Sequence, residues 1–243
     1  MQRLLFLFSI FSVFCQIIAA QNNTIKAELA QADRLTKEAK YDDALQHIDA
    51  ALKINSLSLD ALEKKVNVML LADREKDISK EIDELIKSNV QQPEYYYLRA
   101  LLYISKNKPQ KAVEDLDNAI YYQMPDKYLD KVYLNRGVAY YDIGDFSKAE
   151  ADFQAAIELN PKNSTVYHSW GMLKYEEKNY EEAVKYFLKA VQYEDNNPVI
   201  FYNLAMGYMR LDDMENACYY FNKSCSLGYR NACKAYMLQC TPK

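Results

Sequence analysis

One spacing restricts what this chain can fold into more than any other property it has. Slid against itself by 34 residues, it places Gly137 on Gly171 and then Ala205, Ala149 on Ala183 and Ala217, and Phe153 on Phe187 and Phe221. Phe146 meets Tyr180 and Met214 in the same register. A period of this length marks an array of small supersecondary units. One such unit cannot bury its apolar face alone and must stack on the next.

The register extends backwards with less sharpness. Ala100, Tyr103, Ala112 and Ala119 fit a unit beginning at Pro93, with three extra residues before the next one at Asp130. Ala32, Tyr41, Ala44, Ile48 and Ala51 fit a unit beginning at Ile25. Between them, a unit from Leu59 keeps only an apolar pattern of Leu62, Val66, Met69, Ile82 and Leu85. Repeats are therefore expected at 25–58, 59–92, 93–129, 130–163, 164–197 and 198–231, with a capping helix over 232–240.

Within a unit, two apolar-periodic segments of about 13 residues flank a polar turn such as Gly144-Asp145 or Lys178-Asn179, which predicts a helix–turn–helix. Asn179 is placed to cap a second helix, with Glu182 three residues on in a capping-box-like arrangement. Pro161 and Pro198 fall where one helix must stop or another begin. Only 5 Gly and 6 Pro are present, too few for the frequent turns of an all-β sandwich, while Ala, Leu, Lys and Glu favour helices. Small residues at 137, 149, 171 and 183 let paired helices approach, and Tyr140, Phe153 and Phe187 fill the space between pairs. The expected fold class is all-α.

This pattern resembles the tetratricopeptide repeat (TPR), over nearly all of the chain after residue 20. The resemblance implies a right-handed superhelical solenoid. It also implies a concave groove lined by the second, fifth, ninth and twelfth positions of each first helix. Those positions give Tyr97, Leu101 and Ile104, then Leu134, Val138 and Tyr141, then His168, Met172 and Tyr175, and finally Tyr202, Met206 and Met209 with Arg210 adjacent. The Lys/Asn/Arg clamp by which some members hold a C-terminal carboxylate has no match at these positions. A Tyr/Met surface suits an amphipathic helix or an extended apolar segment. The same side chains also suit tighter internal packing. Of 22 tyrosines, 21 follow residue 94, so the first two repeats carry a different surface.

The chain begins with Arg3, an apolar run from Leu4 to Phe14, and Ala19-Ala20. That is the organisation of a secretory signal peptide over residues 1–20. Cleavage there removes Cys15 and leaves an exported protein, periplasmic or secreted, without a transmembrane span. It takes the 30 Lys and Arg to 29, against 34 Asp and Glu, so the remainder is mildly acidic. Nucleic-acid binding, which needs a basic excess, is disfavoured.

Export gives the remaining cysteines a meaning, since paired cysteines oxidise outside the cytosol. Cys218, Cys225, Cys233 and Cys240 crowd into 23 positions. Cys225 and Cys233 are centred on residue 229, as are Cys218 and Cys240. Antiparallel helices over 215–227 and 232–240 would bring each pair to matching height. A four-cysteine zinc site fails because the two pairs lie roughly 10 Å apart along the helices. A redox site would use Cys-x-x-Cys, which is absent. The Cys-x7-Cys element also resembles the staple of cysteine-rich helical repeats related to TPRs. Structural disulfides at the free end of the stack are expected, with no metal.

No Gly-rich phosphate loop, nucleophile elbow or metal-spaced His pair is present, so neither an enzyme nor a cofactor is expected. The expected role is a protein or peptide interaction module, a monomer or a weak homo-oligomer. A structural subunit of an envelope or secretory assembly is the alternative, and a carrier of a lipid or other small molecule a distant third.

Overall fold

The computed structural model describes residues 2–240, with side chains from residue 16 onward. Among the described residues the chain is all α-helix, in two units dividing within one helix at Leu102/Tyr103. The first unit holds α1 (Gln2–Lys37), α2 (Tyr41–Ile54), α3 (Leu59–Leu71), α4 (Glu75–Ser88) and most of α5 (Pro93–Ser105). The second holds α6 (Pro109–Tyr121), α7 (Asp126–Ile143), α8 (Phe146–Leu159), α9 (Ser164–Glu176), α10 (Tyr180–Tyr193), α11 (Pro198–Arg210), α12 (Met214–Ser226) and α13 (Arg230–Gln239). Every helix from α2 to α12 is 13 or 14 residues long, apart from α7. No described helix is long and apolar enough to cross a membrane. The helix α1 runs through Ala20, and the side chains of the apolar run and of Cys15 lie outside those described.

The repeat is written into the backbone turns. Each first helix is followed by a residue in the left-handed region: Ala39, Asp73, Asn107, Gly144, Lys178 and Asp212, all with φ between 53° and 87°. Their spacing is 34 residues except for the 37 between Asn107 and Gly144, where the three-residue insertion lies. That insertion lengthens α7 to 18 residues. Only Gly144 adopts this conformation without a Cβ penalty, so the other turns accept mild strain to reverse the chain.

Packing follows one rule per repeat. The eighth position of the first helix is small so that the second helix can lean in, and a large side chain follows. A Cβ on Gly137 would lie 2.7 Å from the Phe153 ring, and one on Gly171 would lie 2.6 Å from Phe187. Both rings are fully buried, as is Phe221 behind Ala205 and Ala217. In the first unit the large residue shrinks to Ile48 behind Ala32 and Ala44. The second repeat carries Val66, Ile78 and Ile82 at the three positions, each no more than 3% exposed. Medium side chains replace a small-small-large set at similar total volume, a swap that cores tolerate.

Helix starts differ along the chain. Asp145, Asn163, Asn179, Asn197 and Asp213 cap α8 to α12, each side chain accepting from a backbone N–H in the first turn. Asn179 does so from Glu182, as expected. The reciprocal half of a capping box does not form, because the Glu182 carboxylate accepts from Lys185 instead.

At the C-terminal end α13 doubles back on α12. Cys225–Cys233 closes the hairpin beside the turn with Cα atoms 4.6 Å apart, and Cys218–Cys240 closes it further out at 5.5 Å. The expected pairing is the one formed. The cap helix begins at Arg230, two residues earlier than expected.

Candidate partner-binding face

In the second unit α7, α9 and α11 are neighbours, each the first helix of its pair. Their exposed stripes form one face. Leu134, Val138 and Tyr141 are half-buried against the core around Phe153 and Trp170, and Tyr141 stacks on Phe146 with ring centroids 5.7 Å apart. Further along, Met172, Tyr175 and Glu176 from α9, Phe187 from α10, and Tyr202, Asn203 and Met206 from α11 enclose a cavity of about 110 Å³. That is several times the roughly 30 Å³ share of one water. The walls are thioether and ring; the cavity can accept one apolar side chain.

Polar groups around this cavity are arranged to stay neutral or paired. His168 is held by Asn203, whose Nδ2 lies 2.7 Å from His168 Nε2, and its ring tilts against Phe187. Donation by the amide requires an unprotonated Nε2, and burial lowers the imidazole pKa, with Glu194 acting weakly the other way. Burial also raises the pKa of the Tyr202 and Tyr141 hydroxyls, helped at Tyr141 by Glu176 and Asp142. Arg210, at the exposed rim, donates through Nε to the Tyr175 hydroxyl at 3.0 Å and lies over the Tyr180 ring. The result is an uncharged floor with one carboxylate and one guanidinium at its edge.

About half of the residues expected on this face gather at the cavity. Met172, Tyr175, Tyr202 and Met206 line one cavity, and His168 and Arg210 border it. Met209 is half-buried against the last core, beside α13. Tyr97 is a correction: it lies in the first unit, is 2% exposed, and donates its hydroxyl to Glu63, so it is a core residue rather than a binding one. Leu101 is half-buried and also belongs to the first unit. Asn203, Phe187 and Glu176 were not expected. Asn203 directly follows a predicted position, and the repeat rule passes over it because it counts only one stripe of the helix.

The corresponding face of the first unit has a different chemistry. A cavity of about 540 Å³ there has an apolar floor of Leu29, Ala32, Ile48 and Val68 and a rim of Lys26, Asp33, Asp60, Glu63, Lys64 and Asn67. Lys64 is already paired with Asp33 across the rim.

Tetratricopeptide repeat descriptions match residues 93–123, 130–163 and 164–197. The chain carries tetratricopeptide repeats. Human tetratricopeptide repeat protein 13 is 27% identical over 154 residues, which is 61% of this chain but 17% of that protein. Among solved structures, PilW, described as a widely conserved type IV pilus biogenesis factor, superposes with a TM-score of 0.68 at 16% identity, over 88% of this chain and 98% of PilW. PilF of Pseudomonas aeruginosa gives 0.63 at 16% identity, over 90% and 99%. YrrB, described as a TPR protein with an unusual peptide-binding site, gives 0.54 at 17% identity, over 78% and 97%. At these identities the likeness is one of fold. The TPR matches end at residue 197, so the repeat at 198–231 and its disulfide-closed cap rest on the periodicity and the structure.

Proposed function

We propose that this TPR chain is an exported interaction scaffold whose second unit docks an apolar or amphipathic segment of a partner protein. The cavity between Met172, Tyr175, Tyr202 and Met206 carries the reading. It is an apolar, side-chain-sized recess on the first-helix face of the repeats, framed by rings that present an apolar body and a polar tip. The conformable Met side chains suit a segment held by shape rather than by charge. Export is supported by the N-terminal Arg3, apolar run and Ala19-Ala20, and by cysteines that pair in the structure.

A crosslinking pull-down from the host's envelope and medium tests the reading. It would compare residues 21–243 with the variant Met172→Glu, Tyr175→Glu, Met206→Glu, after circular dichroism shows both folded. A partner captured by the first and lost with the second is the expected result. Equal capture by both would remove the cavity from the account.

A second reading, a permanent subunit of an envelope or secretory assembly, has one observation in its favour. Tyr219, Met237 and Leu238 at the capped end are each at least 60% exposed. Under that reading the purified protein self-associates or precipitates, and sedimentation separates the two.

A further inference from the structure

We propose that the disulfide-closed cap sets the shape of the binding cavity through Tyr229, so that opening Cys225–Cys233 remodels the docking face. Cys225 and Cys233 straddle the turn that carries Tyr229, the N-cap residue immediately before α13. The Tyr229 ring packs edge-on against Tyr202, with centroids 5.2 Å apart. Tyr202 is itself a wall of the cavity beside Met172 and Met206. Disulfide, turn, ring and cavity are thus joined by direct contacts.

The cap is only shallowly buried, with Ala235 and Tyr236 half-buried against the last core. Ala232 is the one buried residue of α13, so most of this helix contributes little apolar burial to its own docking. The outer bond, Cys218–Cys240, ties the far end of α13, so Cys225–Cys233 is the covalent tie at the turn. Reduction by a dithiol delivers two electrons and two protons to the bond. The S–S bond breaks, two thiols form, and the dithiol closes into its own disulfide. Tyr229 then loses the covalent tie across its turn and is held by hydrogen bonds alone, its N–H to Ser224 and its carbonyl accepting from Ala232 and Cys233. Tyr202, left with Phe221 at 5.7 Å as its remaining ring neighbour, gains freedom to swing into or away from the recess. Tyr229 is a positioning residue here, acting on the cavity through Tyr202.

The biological meaning rests on the proposed docking function, but the test needs no partner, so the two can fail separately. The protein would be labelled at its methionine methyl groups, with Met172 and Met206 assigned through Met172→Leu and Met206→Leu, and Met69 of the first unit as reference. Dithiothreitol treatment, with the opened bond verified by thiol titration, is expected to shift the Met172 and Met206 resonances and leave Met69 in place. Cys225→Ser with Cys233→Ser should shift them more than Cys218→Ser with Cys240→Ser. Tyr229→Ala, with both disulfides intact, should shift them in the absence of any reductant. Unmoved Met172 and Met206 in a folded protein whose Cys225–Cys233 bond is open would overturn the proposal. Should opening the bond unfold the second unit, Tyr229→Ala decides alone: shifted methyls support the coupling and unshifted ones refute it.

Discussion

In the first unit Lys65 reaches from α3 to Asp49 on α2 at 3.3 Å and to Glu81 on α4 at 2.8 Å. In the second, the equivalent Arg136 reaches from α7 to Asp117 on α6 and, with two parallel bonds, to Asp152 on α8. One repeat later the position is Trp170, whose ring stacks on Tyr186 at 4.5 Å, and one later still it is Leu204. The partner sixteen residues on changes in step, from Glu81 and Asp152 to Tyr186 and Tyr220. One structural task, fastening three consecutive helices, is thus met by charge early in the chain and by aromatic stacking late. Charged rungs at Lys65 and Arg136 occur in both units, whereas the stacked ring rung at Trp170 and Tyr186 belongs to the second alone.

The comparison can be broken most severely at its charged rungs. Asp152 has a side chain only 8% exposed, whereas Asp49 and Glu81 are 52% and 42% exposed. Arg136→Met strands a buried carboxylate and is expected to cost about 3–5 kcal/mol in urea denaturation. Lys65→Met removes pairs that water already screens and is expected to cost about 1 kcal/mol or less. Equal losses would mean that the two rungs do the same work.

The helix starts offer a smaller contrast. Asn179 caps α10, while Arg74 precedes α4 with no side-chain cap. Asn179→Ala should lower stability by about 1 kcal/mol, whereas Arg74→Ala removes no cap, only exposed pairs with Asp42 and Asp77, and should cost about 0.5 kcal/mol or less. Thermal denaturation of each variant measures this, and a neutral Asn179→Ala would show that packing alone fixes α10.

The smallest expected effect is on pH. Burial holds the His168 pKa below its ordinary value near 6.5 in the folded chain. As pH falls through that ordinary value the unfolded chain takes up the proton first. Stability that neutral His168 supports above it is therefore lost below it, until the folded imidazole is protonated too. Denaturation midpoints at pH 7.5 and 5.5 should diverge more for the native sequence than for His168→Gln.

How much of this was legible beforehand follows the packing. Where Gly or Ala faces Phe, at 137, 171 and 205, volume differences are large and the period is plain. Where Val66, Ile78 and Ile82 share the space evenly, the same geometry leaves no contrast to read. The cysteine pairing was legible because symmetric spacing about residue 229 has one antiparallel solution. Tyr97 was misread because repeat position alone does not tell a groove tyrosine from one folded inward onto Glu63. Asn203 was missed because its importance lies in holding His168, a contact across two helices that no single-helix stripe reveals.

The most direct measurement places a photocrosslinking benzoylphenylalanine at Tyr175, on the aromatic face, and separately at Lys64, on the charged one, in the otherwise native chain. Irradiation in the host's envelope and medium is expected to give a discrete adduct from position 175 and none from position 64. An adduct from position 64 with none from position 175 would contradict the account and move partner recognition to the first unit.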